Sequence, residues 1–134
     1  MTVSSDPQTR SLAVRILLWQ AAVTTVLGAL VALWAGSTTG VSIVTGGLIG
    51  LIANLYMTVA VLRPARSAGF AFGRLLAGQF VKVLLTVGMF LAVAQRKDVV
   101  WPAVFAGYVA TLMVFWVVPA LAAPKLPPRS KARE

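Results

Sequence analysis

A single lysine, Lys82, stands inside a long apolar stretch that ends at Ala94. It lies about ten residues into that stretch, close to mid-membrane depth at about 1.5 Å of helical rise per residue. An ionised lysine there costs roughly 2.5–3.5 kcal/mol on insertion scales, so its presence needs a reason. Three chemistries compete for it. The long stem can snorkel and lift the ammonium to the headgroups, which works best near a helix end. The amine can shed its proton and bond as a neutral group to polar neighbours. Or it can pair with a carboxylate. No Asp or Glu lies in any apolar segment of the chain, so a charged and paired Lys82 must draw its counter-ion from another subunit.

Other polar groups fall at similar depth. Gln79 precedes Lys82 by three residues, which puts both on one face of a helix. Asn54 lies about eight residues from the end of the preceding apolar segment, and Thr24, Thr25 and Thr111 reach the same layer. Interhelical hydrogen bonds between such groups are worth only about 0.6 kcal/mol each, so a packing role competes with a binding one. The threonines can also bond their own helix backbone. Gly46, Gly50 and Asn54 recur at four-residue spacing with Gly47 alongside, a stripe that lets another helix backbone approach closely. The default occupant is helix one or three of the same chain, and the sharper alternative is a foreign helix. Gly78, beside Gln79, would keep the polar site accessible to it.

Composition sets the frame for these residues. Of 134 residues, 59% are hydrophobic and 11% charged, against about 25% charged in a soluble domain. Mean hydropathy is +0.89, which points to lipid as the solvent. The chain has no His and no Cys, and its acids are Asp6, Asp98 and Glu134. That excludes His/Cys metal sites, thiol chemistry and Ser-His-Asp triads, and paired-carboxylate hydrolysis would need two acids at one site. We expect no enzyme and no cofactor. The net charge of +9 would suggest nucleic acid in a soluble protein, but the basic residues flank apolar runs and no recognition motif is present. Nucleic acid is not an expected partner; anionic lipid headgroups are.

Spanning the hydrocarbon takes about 20 mostly apolar residues, and the chain offers four such runs, at about 12–35, 41–62, 70–94 and 99–122. The fold class is an all-α membrane protein: four transmembrane helices in up-down hairpins forming one domain over 11–123. Residues Gly36 to Gly40 read as a turn. The first run is too long for a cleavable signal, and three more follow it. Arg10, Arg15, Arg63, Arg66, Arg74 and the basic tail fall on one side, and only Arg96 and Lys97, offset by Asp98, on the other. The positive-inside rule therefore puts both termini in the cytoplasm. Residues 1–10 and the Pro-rich basic tail 124–134 read as disordered. Trp19, Trp34, Trp101 and Trp116 read as interfacial depth anchors.

In order and spacing the hydrophobic part resembles the bacterial ATP synthase subunit I (ATP synthase protein I) family, small four-helix proteins encoded with the F-type synthase. The resemblance rests on Gly46-Gly47-Leu48 followed by Asn54, and on Phe72-Gly73 through Gly78-Gln79-Phe80-Val81-Lys82. The family shows Gly-Gly…Pro-Asn and Gly-Glu-x-x-Lys at those places. Ala53 stands where the Pro would be, which leaves helix two less kinked, and Gln79 replaces the Glu, removing the family's own intrachain counter-ion for Lys82.

The resemblance implies a bacterial cell (inner) membrane location and a role in assembling the rotor ring of c subunits. A c-subunit hairpin is rich in small residues and carries a carboxylate at mid-membrane depth. The Gly46/Gly50 groove would receive its helix while Lys82 and Gln79, with Asn54 and Gly78 nearby, meet the acid. Such a contact would be transient, because the assembled ring needs that carboxylate for ion carriage. The alternative is a small divalent-cation transporter supplying Mg²⁺, which prefers hard oxygen ligands that the apolar segments lack. A resident structural subunit is the third reading, and self-association stays open.

Overall fold

The computed structural model describes residues 7–122. Residues 1–6 and the tail expected to be disordered lie outside the described residues. Four α-helices follow in order: α1 (Pro7–Ala35), α2 (Ser37–Leu62), α3 (Ala68–Ala94) and α4 (Trp101–Ala122). All four are long and apolar enough to cross a membrane, and the described residues contain no strand. The 22 residues of α4, the shortest, run about 33 Å, enough for a hydrocarbon core of about 30 Å.

The termini of these elements depart from the sequence reading where polar residues extend a helix beyond its apolar run. α1 begins at Pro7, so residues 7–10 are helical and not disordered. Proline's fixed φ suits a first helical position, and nothing up to Leu12 breaks the helix. The expected five-residue turn is a single residue, Gly36, at φ 92°, a left-handed conformation that glycine adopts without steric cost. Ser37, Thr38 and Thr39 already belong to α2, whose first backbone bond closes on Gly36 and whose N-terminus has no side-chain cap. Gly40 N donates to Gly36 O at 3.2 Å, and the Thr39 and Ser42 hydroxyls donate to the carbonyls of Ala35 (3.1 Å) and Thr38 (2.8 Å).

The other junctions are held by side chains. Pro64 stops α2, and Arg74 Nη1 reaches back to the carbonyls of Arg63 (2.7 Å) and Pro64 (3.1 Å), filling acceptors the helix end leaves open. Ser67 caps α3 by accepting from Phe70 N at 3.3 Å. The start of α4 is tied to α2, with Val100 N donating to Ser42 Oγ at 3.0 Å.

Packing is three helices plus one. α2 lies at the centre against α1, α4 and α3, and α1 also packs on α4. α3 brings its backbone close to α2 alone. Large rings span the wider gap between α3 and α4: Phe90 stacks on Phe105 with centroids 5.3 Å apart and meets Tyr108 edge-on at 5.4 Å. Gly78 is the one buried residue of α3, so most of its apolar surface faces outward. Trp34 and Trp101 sit at helix ends, whereas Trp19 and Trp116 lie well inside α1 and α4; all four rings are exposed.

Candidate partner-binding site

Lys82 lies near the midpoint of α3, whose 27 residues run about 40 Å. Its side chain is half-buried at the α2–α3 seam. There Nζ donates to Asn54 Oδ1 at 2.7 Å and stands 5.3 Å from the centre of the Phe115 ring of α4, within cation–π range. Two helices thus grip the amine, one through a neutral carbonyl and one through a ring face. A charge-assisted bond and an aromatic face lower the cost of a cation at this depth, but neither neutralises it. Of the chemistries open to Lys82, the structure holds a bond to a polar neighbour; because that acceptor is uncharged, a counter-ion would still have to come from another chain.

That bond fixes the Asn54 amide. With Oδ1 committed to the amine, Nδ2 is buried and has no hydrogen-bond partner among the described residues. The site therefore offers an outside acceptor the remaining protons of a half-buried ammonium, which suit a carboxylate, while the unmatched amide N–H stays in the interior. Gln79, three residues before Lys82, is exposed. Asp98, beyond the far end of α3, is the sole acid among the described residues, and no cluster there could hold a metal ion.

The glycine stripe is spent within the chain. A Cβ on Gly46 would strike the carbonyl of Val104, and one on Gly107 would strike the carbonyl of Ile43, so α2 and α4 touch backbone to backbone. Gly50 faces Thr111, with Cβ and Cγ2 3.0 Å from where its own Cβ would lie, and Gly47 faces Thr24 of α1. Thus the occupant of the Gly46/Gly50 groove is α4, not helix one or three and not a foreign helix. Gly78 is covered by Met57, whose Sδ lies 3.1 Å from where a Cβ on Gly78 would stand, so it opens no path to Gln79. Dispersion contact at that close approach is what membrane helices gain from small residues.

A second polar cluster sits beside the site. Thr111 is fully buried and its hydroxyl donates toward the carbonyls of Gly107 (3.1 Å) and Gly47 (3.3 Å), while Thr24 Oγ1 lies 3.2 Å from it. This one side chain joins α1, α2 and α4. Thr25, expected in the same layer, instead bonds back to Ala21 O at 2.8 Å. Gln20, which the sequence reading misses, is fully buried, donating Nε2 to Thr111 O at 3.3 Å and leaving Oε1 unpaired among the described residues. A signal for it exists in the sequence: an amide four residues before Thr24 in an apolar run. Because an orphaned buried acceptor costs about as much as a hydrogen bond gives, Gln20→Met is expected to change stability by less than about 1 kcal/mol. Thr111→Val should cost about 1 kcal/mol. Unfolding of both variants in detergent micelles checks the order; a larger loss for Gln20→Met would contradict it.

Comparison with known proteins finds relatives along most of the chain. The sequence profile of the ATP synthase I chain family matches residues 15–109. An ATP synthase protein I from Pseudomonas aeruginosa is 39% identical over 114 residues, covering 81% of this chain and 89% of that protein. Another from Pseudomonas putida is 37% identical over 91 residues, covering 66% and 67%. No solved structure matches the chain. With the profile spanning all or part of every helix, the chain belongs to the ATP synthase I chain family.

Proposed function

We propose that this chain is a non-enzymatic membrane protein of the F-type ATP synthase system that assists assembly of the c-subunit ring. It does so through transient packing on α3 and a contact between Lys82 and a mid-membrane carboxylate of the c subunit. It works in the bacterial cell membrane with both termini in the cytoplasm, the orientation favoured by the basic residues gathered at one end of the helices. The observation that carries the reading is Lys82 itself: an amine at mid-helix whose one hydrogen-bond acceptor is a neutral amide, beside an Asn54 Nδ2 still lacking an acceptor among the described residues.

The exposed flank of α3 supports the same reading. Phe80, Val83 and Val87 form an exposed apolar face of α3, and Gln79, also exposed, lies between that face and Lys82, so a partner helix can lie along α3 without displacing α1 or α4. A carboxylate arriving there would give the ammonium the counter-ion that the neutral Asn54 carbonyl does not supply. Its release requires only that the amine return to Asn54, which suits a contact made during assembly and then broken.

Affinity recovery of c subunit with the tagged full chain from native membranes tests this. Lys82→Leu is expected to lower recovery at least tenfold, while Lys82→Arg keeps most of it because the charge remains. Equal recovery with wild type, Lys82→Leu and Lys82→Arg would overturn the ion pair.

A further inference from the structure

We propose that the groove between the middle of α1 and the second half of α4 binds one acyl chain of an anionic phospholipid, whose phosphate rests on Arg15. The groove holds about 620 Å³, within the range of small-molecule sites. Its walls are Trp19, Val23 and Leu27 on α1 and Ala110, Met113 and Val117 on α4, with Arg15 at one end. The site is separate from Lys82, which faces the opposite flank of α4 through Phe115.

Length and polarity identify the occupant. From Arg15 to Leu27 is about 18 Å along the helix, close to the depth of one leaflet of a hydrocarbon core about 30 Å thick. A flexible hydrocarbon chain fits an apolar trough of that length, and Arg15 stands where the headgroup would be. A guanidinium matches a phosphodiester with two parallel hydrogen bonds. Arg15 also lines a shallower hollow with Arg10 one and a half turns earlier, so the headgroup end carries two cations. The described acid, Asp98, sits at the far end of the helices. Two cations with no acid among their described neighbours favour a headgroup of net negative charge over one that carries its own ammonium. Trp19, one turn further along α1, lines the trough next to the guanidinium.

The test is native mass spectrometry of the full-length chain in detergent, titrated with phosphatidylglycerol or with phosphatidylcholine of the same acyl chains. Wild type is expected to retain phosphatidylglycerol at least tenfold better than phosphatidylcholine. Arg15→Gln should abolish that preference, and Arg96→Gln, at the other end of the molecule, should leave it intact. Val117→Trp, which fills the trough, should lower retention of both lipids. Undiminished phosphatidylglycerol retention in Arg15→Gln or in Val117→Trp overturns the site, as does an equal loss in Arg96→Gln, which would mean general charge attraction. If Val117→Trp keeps its lipid but loses c subunit, the groove belongs to a partner helix and the lipid assignment falls. Failure of the Lys82 variants in the recovery experiment leaves these readouts untouched.

Discussion

Gly46→Ala and Gly107→Ala are each expected to lower stability by about 3 kcal/mol. Each added methyl would collide with a carbonyl of the facing helix, Val104 for one and Ile43 for the other. A side chain in the way can rotate, but a backbone carbonyl moves only with its helix, so the strain falls at the upper end of ordinary overpacking. The two changes strain one crossing and should therefore add incompletely. Gly50→Ala, which meets only the Thr111 side chain at 3.0 Å, should cost about 1 kcal/mol. Gly73→Ala and Gly88→Ala meet nothing within 4 Å and should be neutral or gain up to about 1 kcal/mol from helix propensity. Reversible unfolding in mixed micelles, followed by circular dichroism, reads all five. If Gly46→Ala proves as stable as Gly73→Ala, α2 and α4 do not cross at this point. The site would feel the loss as well, because displacing α4 withdraws Phe115 from the Lys82 ammonium.

The second large effect concerns the Lys82–Asn54 bond, where stability and function should separate. Asn54→Leu strands the amine at mid-helix without its acceptor and is expected to cost about 2–3 kcal/mol. Lys82→Leu strands the Asn54 carbonyl beside an amide nitrogen that already lacks a partner, for about 1–2 kcal/mol. The double variant removes both polar groups of this pair, the unmatched amide included, and replaces them with apolar packing, so it should return to wild-type stability or exceed it. Recovery of c subunit should stay at the Lys82→Leu level. A double variant whose loss equals the sum of the two single losses would show that the residues are not coupled. A stable double variant that still recovers c subunit would show that neither residue is needed for the contact.

For the isolated protein, a half-buried cation with a neutral acceptor and an unmatched buried amide is worse than leucines would be. Such a cost is understandable where a carboxylate of another chain completes the arrangement for part of the working cycle, as a transient assembly contact requires.

The four crossings, the mid-helix position of Lys82 and the family resemblance are legible in the sequence for a local reason. In lipid each helix satisfies its own backbone, so a run of apolar residues announces a crossing whatever lies beside it. Helix ends are legible to within about five residues, and the misses at Pro7 and Ser37 arise because polar residues continue a helix past its apolar part. What the tertiary structure alone decided is which faces meet. The stripe at Gly46 and Gly50 packs on α4, the Asn54 carbonyl receives Lys82, and Gln20 turns inward to Thr111. Helices that are apolar on every side carry no stripe to mark the core, since lipid accepts those faces as readily as a neighbouring helix does. Their arrangement is settled by close approach at a few small residues and by hydrogen bonds between positions up to 91 residues apart, and neither is visible along the chain.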